Sequence, residues 1–148
     1  MLEIKNINKQ KSSFNFEGFA LAEIKSHTGT FKNWDAKLTI ENKKITGIIA
    51  KADSKTIDTG IEKLDNHLKS EDFFYSDKYQ EIKFKSISVT NDSVTGDLTI
   101  NGITSRITFS AEIKKDSLSA DFRINMKPFN IKYLGIKKEV RVFFNLAM

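Results

Sequence analysis

The sequence predicts an all-β protein: a single antiparallel, up-and-down β-barrel of about eight strands, with one short helical insertion near residues 60–76. Three observations carry this. Most of the chain alternates apolar and polar residues with a period of two, the signature of strands wet on one face only. Turn residues punctuate that alternation at short intervals, most clearly at Asn101-Gly102, the favoured pair for a two-residue hairpin loop. Only one stretch, beginning near Gly60, switches to helical spacing. Consecutive antiparallel strands, each with one apolar face, remove their edges by closing into a barrel.

The elements follow in order. Residues 12–18 alternate with Phe14 and Phe16 on one face. Residues 36–40 and 44–52 read as two strands around the polar turn Glu41-Asn42-Lys43. Thr59 and Glu62 have the spacing of a capping box, and Ile61, Leu64 and Leu68 then fall on one face of a helix over roughly 60–69. Ser70, followed by Glu71 and Asp72, reads as a second N-cap opening a brief turn that carries Phe73 and Phe74. In residues 81–90, Ile82 and Phe84 set one face while Ile87 and Val89 fall out of phase, so a β-bulge near Ser86-Ile87 is expected to return all four to one side.

A two-residue loop at Asn101-Gly102 fixes the register of the next hairpin. Ile100 meets Ile103, Gly96 meets Ile107 and Val94 meets Phe109 on one face. Thr99–Thr104, Asp97–Arg106 and Thr95–Thr108 lie on the other, a pattern of threonine ladders around an ion pair. The turn 114–117 then pairs Ile113 with Leu118, Ala111 with Ala120 and Phe109 with Phe122. Val140, Val142, Phe144 and Leu146 alternate in a last strand, where Phe143 faces the polar side.

Length sets one domain, residues 1–148, large enough for a real core. Apolar residues make up 39% and charged residues 29%, and no apolar run is long enough to span a membrane. Twelve Phe stand against one Trp and three Tyr, so many large rings without a polar tip need burial or an apolar ligand. The absence of cysteine excludes disulfides, thiolate catalysis and thiolate metal sites. The net charge of +5 comes from scattered Lys, doubled at 43–44, 114–115 and 137–138. These read first as solvated turns, and secondly as a weak attraction to anionic membrane surfaces. No nucleic-acid partner is expected, because the basic residues are not concentrated on one element and no reading motif is present.

Residues 64–86, LDNHLKSEDFFYSDKYQEIKFKS, resemble the signature segment of the YceI-like family of polyisoprenoid-binding proteins. The resemblance rests on Asp65, His67, Leu68, Ser70, Asp72, Phe73, Phe74, Lys78, Tyr79, Ile82, Phe84 and Ser86. Leu64 stands where many members have Arg, and Gln80 where many have Pro. Weaker echoes are Gly29-Thr30-Phe31, LTINGIT at 98–104, and residues 128–133, where Asn130 replaces a usual Gly. Asn is among the few residues that take a left-handed backbone with ease, so that exchange is mild.

The resemblance implies a lipocalin-like barrel whose channel holds an isoprenoid or similar long-chain lipid. It also implies a periplasmic or secreted protein, with a signal absent from this chain, although a cytoplasmic one is compatible with the sequence. Family members tend to pair, so a homodimer is expected, with Phe143 in the contact. The function expected is non-enzymatic binding and transport of a polyisoprenoid, an isoprenoid quinone or a fatty-acid derivative. Burial of each CH₂ contributes about 0.8 kcal/mol, so a long chain outweighs the roughly 4–15 kcal/mol that association costs.

The candidate ligand-binding residues are Phe14, Phe16, Phe31, Trp34, Leu64, Leu68, Phe73, Phe74, Phe84, Phe109 and Phe122. Periodicity alone leaves Phe14, Phe16, Phe109 and Phe122 as readable as solid core as lumen lining, while at least one of Phe73 and Phe74, on the helical insertion, is expected to touch the ligand path. The alternatives are an interaction module with a solid core acting through its outer surface and, behind it, an enzyme acting on a lipid inside the barrel. No catalytic residue, metal or cofactor is expected beyond the bound lipid. His27 and His67 lack the spacing of a metal motif, and Asp65, His67 and Ser70 are close neighbours at a helix end, a poor basis for a triad. Asp65 and His67 are read as polar groups that position the helix and its loop.

Overall fold

The computed structural model describes residues 2–18, 27–131 and 139–148. Its strands are β1 (Leu2–Asn6), β2 (Ser13–Gly18), β3 (His27–Phe31), β4 (Trp34–Glu41), β5 (Lys44–Asp53) and β6 (Ile57–Asp58). The helix α1 (Glu62–Leu68) follows, and then β7 (Glu81–Val89), β8 (Ser93–Ile100), β9 (Ile103–Ser110), β10 (Glu112–Ile113), β11 (Ser117–Asn125) and β12 (Glu139–Ala147). One sheet has the order β1-β4-β5-β7-β8-β9 and the other β10-β11-β12-β2-β3-β6, with antiparallel pairing in both. Ala111 separates β9 from β10 on one flank, and Lys32-Asn33 separate β3 from β4 on the other. The chain therefore passes directly between the sheets on both sides, and their inner faces enclose one interior. The β2 and β12 pairing brings the two ends of the chain together and closes the sheet on that side.

The hairpin register is as expected. Val94 pairs with Phe109, Gly96 with Ile107, Asp97 with Arg106 and Ile100 with Ile103. Asn101 and Gly102 both have positive φ, at 54° and 71°, which matches the twist of the flanking strands. On the wet face Thr95 and Thr108 hydroxyls lie 2.9 Å apart, those of Thr99 and Thr104 2.7 Å, and Arg106 Nε donates to Asp97 Oδ1 at 3.3 Å. The turn Asn42-Lys43 uses the same left-handed pair of conformations, at φ 52° and 63°. Asn130 is left-handed too (φ 53°, ψ 39°), so it does take the place of a glycine.

Four local expectations are corrected. The bulge lies at Ser86–Ser88, but Ile87 is its outward residue and is 54% exposed, while Val89 returns inward opposite Val94. The capping box between Thr59 and Glu62 does not form. Gly60 adopts φ +83°, the helix begins only after Ile61, and the Thr59 amide and hydroxyl both donate to Asp65 Oδ1, at 2.8 and 2.6 Å. Ser70 caps nothing through its side chain, because its hydroxyl donates backward to the His67 carbonyl at 2.5 Å. The Ala111–Ala120 and Phe109–Phe122 rungs are also missing from the ladder, the last two residues meeting only through their rings. Asp92 O takes the Ala111 amide at 2.9 Å, and β10 pairs with β11 only at Glu112–Ser119 and Ile113–Leu118.

The outer face of β12 carries Phe143, which is half-buried because the Arg141 guanidinium lies 4.5 Å from its ring centroid. Arg141 also makes a two-pronged pair with Asp121, Nε to Oδ1 at 2.8 Å and Nη2 to Oδ2 at 2.6 Å. The hydrogen bonds from Arg141 hold the Asp121 carboxyl below its ordinary range. Being solvated, the pair fixes side-chain position more than it adds stability.

Candidate lipid-binding cavity

Inward-pointing residues of the strands form two buried clusters. One gathers Phe16, Phe31, Leu64, Leu68, Phe73, Phe74 and Phe129 beside α1. The other gathers Leu38, Ile48, Val94, Phe109, Leu118 and Leu146 at the far end. Trp34, Phe84, Phe122 and Phe144 touch both clusters, and between them lies a cavity of about 130 Å³ whose walls are entirely apolar. Phe109 and Phe122 stack at 4.2 Å across the gap between the sheets, and Phe144 meets both edge-on. The missing side chain of Gly96 makes room for the Phe84 ring. A Cβ there would stand 2.5 Å from Phe84 Cζ and 2.6 Å from the Lys85 carbonyl oxygen.

Of the residues expected to bind ligand, Phe14, Phe16, Phe31, Trp34, Phe74, Phe84, Phe109 and Phe122 line this cavity. Leu64, Leu68 and Phe73 do not. α1 turns its apolar side down onto the barrel end, and the reversal after Ser70 sends Phe73 and Phe74 in different directions. Phe73 is fully buried with Leu68 and meets the His67 ring edge-on at 4.9 Å, whereas Phe74 closes the cavity against Phe31 at 5.9 Å. Asn101 fastens this cover to the barrel. Its amide nitrogen donates to Phe73 O at 2.8 Å and to Phe129 O at 3.2 Å, joining three segments. The lining also takes in aliphatic residues outside those candidates, notably Ile48, Ile82, Leu98, Ile107, Val140 and Val142. The alternation that placed Phe84 and Phe144 inward signals these residues equally.

A YceI-like domain model matches residues 6–148. The chain belongs to the YceI-like family. The YceI protein of Shigella flexneri is 33% identical over 120 residues, an alignment covering 70% of this chain and 63% of that protein, so the chain spans less than two thirds of its length. BcnA of Burkholderia cenocepacia shares the fold at 20% identity, with a TM-score of 0.80 over 96% of this chain and 99% of its own. A polyisoprenoid-binding domain from Saccharophagus degradans, implicated in plant cell wall breakdown, does so at 14% identity, with a TM-score of 0.68 over 99% and 97% of the two chains.

Within this YceI-like domain the polar signature residues have structural duties. Asp65 anchors Thr59, and the Ser70 hydroxyl donates to the His67 carbonyl. Among the described residues no three His, Cys, Asp or Glu side chains gather closely enough to hold a metal ion. No helix among them is long and apolar enough to cross a membrane. His27 contributes its backbone to β3, paired with Gly18.

Proposed function

We propose that this domain binds a long apolar lipid inside its barrel and carries it unchanged, the ligand being a polyisoprenoid, an isoprenoid quinone or a fatty-acid derivative. One observation carries the reading: the interior has a cavity with no polar wall, closed at one end by a tethered aromatic cover. The family relationship and the polyisoprenoid-binding relative from Saccharophagus degradans support it. No side chain in the lining among the described residues is a general acid or base, and such walls favour carriage over conversion.

Size sets a condition. An apolar cavity near 150 Å³ accepts a benzene ring, and this one is about 130 Å³. A chain of tens of carbons therefore requires lining rings to swing aside, trading ring–ring contacts for ring–lipid contacts. The same number favours a second reading, a solid-core module. Native mass spectrometry and organic extraction of protein purified without detergent decide between them. A long-chain lipid at near-stoichiometric occupancy is expected. An empty extract, followed by no uptake of added lipid, would establish the solid-core module.

A periplasmic or secreted location and weak contact with anionic membrane belong to the same proposal. So does pairing of two copies through the outer face around Phe143. Phe143→Ser is expected to shift sedimentation toward the monomer, and an unchanged profile would remove β12 from the contact.

A further inference from the structure

We propose that a window in the barrel wall beside Trp34 seats the acidic head of the ligand, a carboxylate or a phosphate ester, on Lys9. The inference rests on the lipid-binding reading and adds the head-group chemistry to it.

The window is a break in hydrogen bonding. β3 and β4 form one nearly continuous stretch, flanked on one side by β6 and β5 and on the other by β2 and β1. On the first side pairing is close to unbroken, with Phe31 opposite Ile57 and Trp34 opposite Ala52. On the second, the β2 ladder stops at Phe16–Gly29, extended only by the Thr30 hydroxyl donating to Phe14 O at 2.5 Å. The β1 ladder stops at Asn6–Lys37, extended only by Ile7 N to Ala36 O at 3.4 Å. Between these points the opposing chain turns away, with Lys11 N bonded to Asn8 O at 3.1 Å and Asn8 N to Ala147 O at 2.7 Å.

Two side chains fill the gap. The Trp34 ring lines the cavity and packs on Phe14 at 5.8 Å. The Lys9 side chain crosses the break, donates to the Trp34 carbonyl left without a strand partner, and sets its ammonium 3.5 Å from the ring centroid. Among the described residues Lys9 is the only cation stacked on a ring of the cavity wall. Its charge thus stands one ring thickness from a cavity whose described lining is apolar. Desolvation lowers the Lys9 pKa, opposed by the charge of Asp35. A carboxylate or phosphate at the window would add a directly hydrogen-bonded anion to the influence of Asp35, through a charge-assisted hydrogen bond. A tail attached to it would pass Trp34 into the cavity.

Trp34 is the sole tryptophan, so its emission reports this point alone. Delipidated protein is titrated with oleate, with oleyl alcohol (the same tail without charge) and with inorganic phosphate. Oleate is expected to bind roughly tenfold more tightly than the alcohol and to shift Trp34 emission. Lys9→Met, which keeps the apolar stem, is expected to erase that preference, because losing the bond to the Trp34 carbonyl acts on both tails alike and only the oleate-to-alcohol ratio reads the charge. Lys9→Arg should restore the preference. Equal binding of oleate and alcohol, or a preference that survives Lys9→Met, overturns this inference while leaving lipid binding intact. Inorganic phosphate moving the emission as far as oleate would make Lys9 a free-anion site and overturn it as well. Binding of neither tail overturns the lipid reading and this one together.

Discussion

Phe73→Ala is expected to lower folding stability by about 3–5 kcal/mol, whereas Phe74→Ala lowers lipid occupancy first and stability less. The two rings are adjacent in sequence and have different surroundings. Phe73 has no exposure, packs with Leu64 and Leu68 beneath α1, and stays out of the cavity. Its removal opens a new void among groups already fixed by the Asp65 and Asn101 hydrogen bonds, so the site cannot collapse to fill it. Phe74 faces a cavity that already exists, and a bound chain can fill the enlarged space. Urea midpoints and extractable lipid, measured on both variants, separate the roles. A stable Phe73→Ala variant stripped of lipid would place Phe73 in the lining instead.

The contrast shows which features were legible in the chain. Strand faces and hairpin registers could be read, because the side-chain period of two and the Asn101-Gly102 turn are both local. Every expected rung of the β8–β9 hairpin is therefore present. The family segment around Phe73-Phe74 was legible as a motif, but not the direction each ring takes. That direction depends on the reversal after Ser70, where Phe74 N bonds back to Leu68 O at 3.0 Å and Tyr75 N to Ser70 O at 2.8 Å. The capping box failed for a similar reason. Thr59 and Glu62 had the right spacing, but Gly60 in a left-handed conformation handed the Thr59 donors to Asp65, one turn further on. The gap beside Trp34 left no local trace either. It arises because β1 and β2 both flank the β3–β4 stretch and neither spans residues 31–35, a relation between segments distant in sequence.

Asn101→Asp is the second large expectation, and its size should depend on pH. The Asn101 amide nitrogen holds two carbonyls, Phe73 O and Phe129 O, where the cover meets the barrel. A carboxylate there has no proton to give, so each carbonyl left without a donor costs about 1–3 kcal/mol, and the charge faces two oxygens of like polarity. Burial and those oxygens both disfavour ionisation, so the introduced carboxyl should titrate above its unfolded value of roughly 3.9. By linkage, the variant is least impaired below that value, where a protonated carboxyl donates to one carbonyl. It loses stability as pH rises through the raised folded pKa. Asn101→Ala removes the same donors without a titrating group, so its deficit should stay flat over that range. Denaturation midpoints for the two variants between pH 4 and pH 8 supply the test, these limits being set by the carboxyl range. Parallel curves would mean that the introduced carboxyl reaches water and that Asn101 holds the cover less closely than its two bonds indicate.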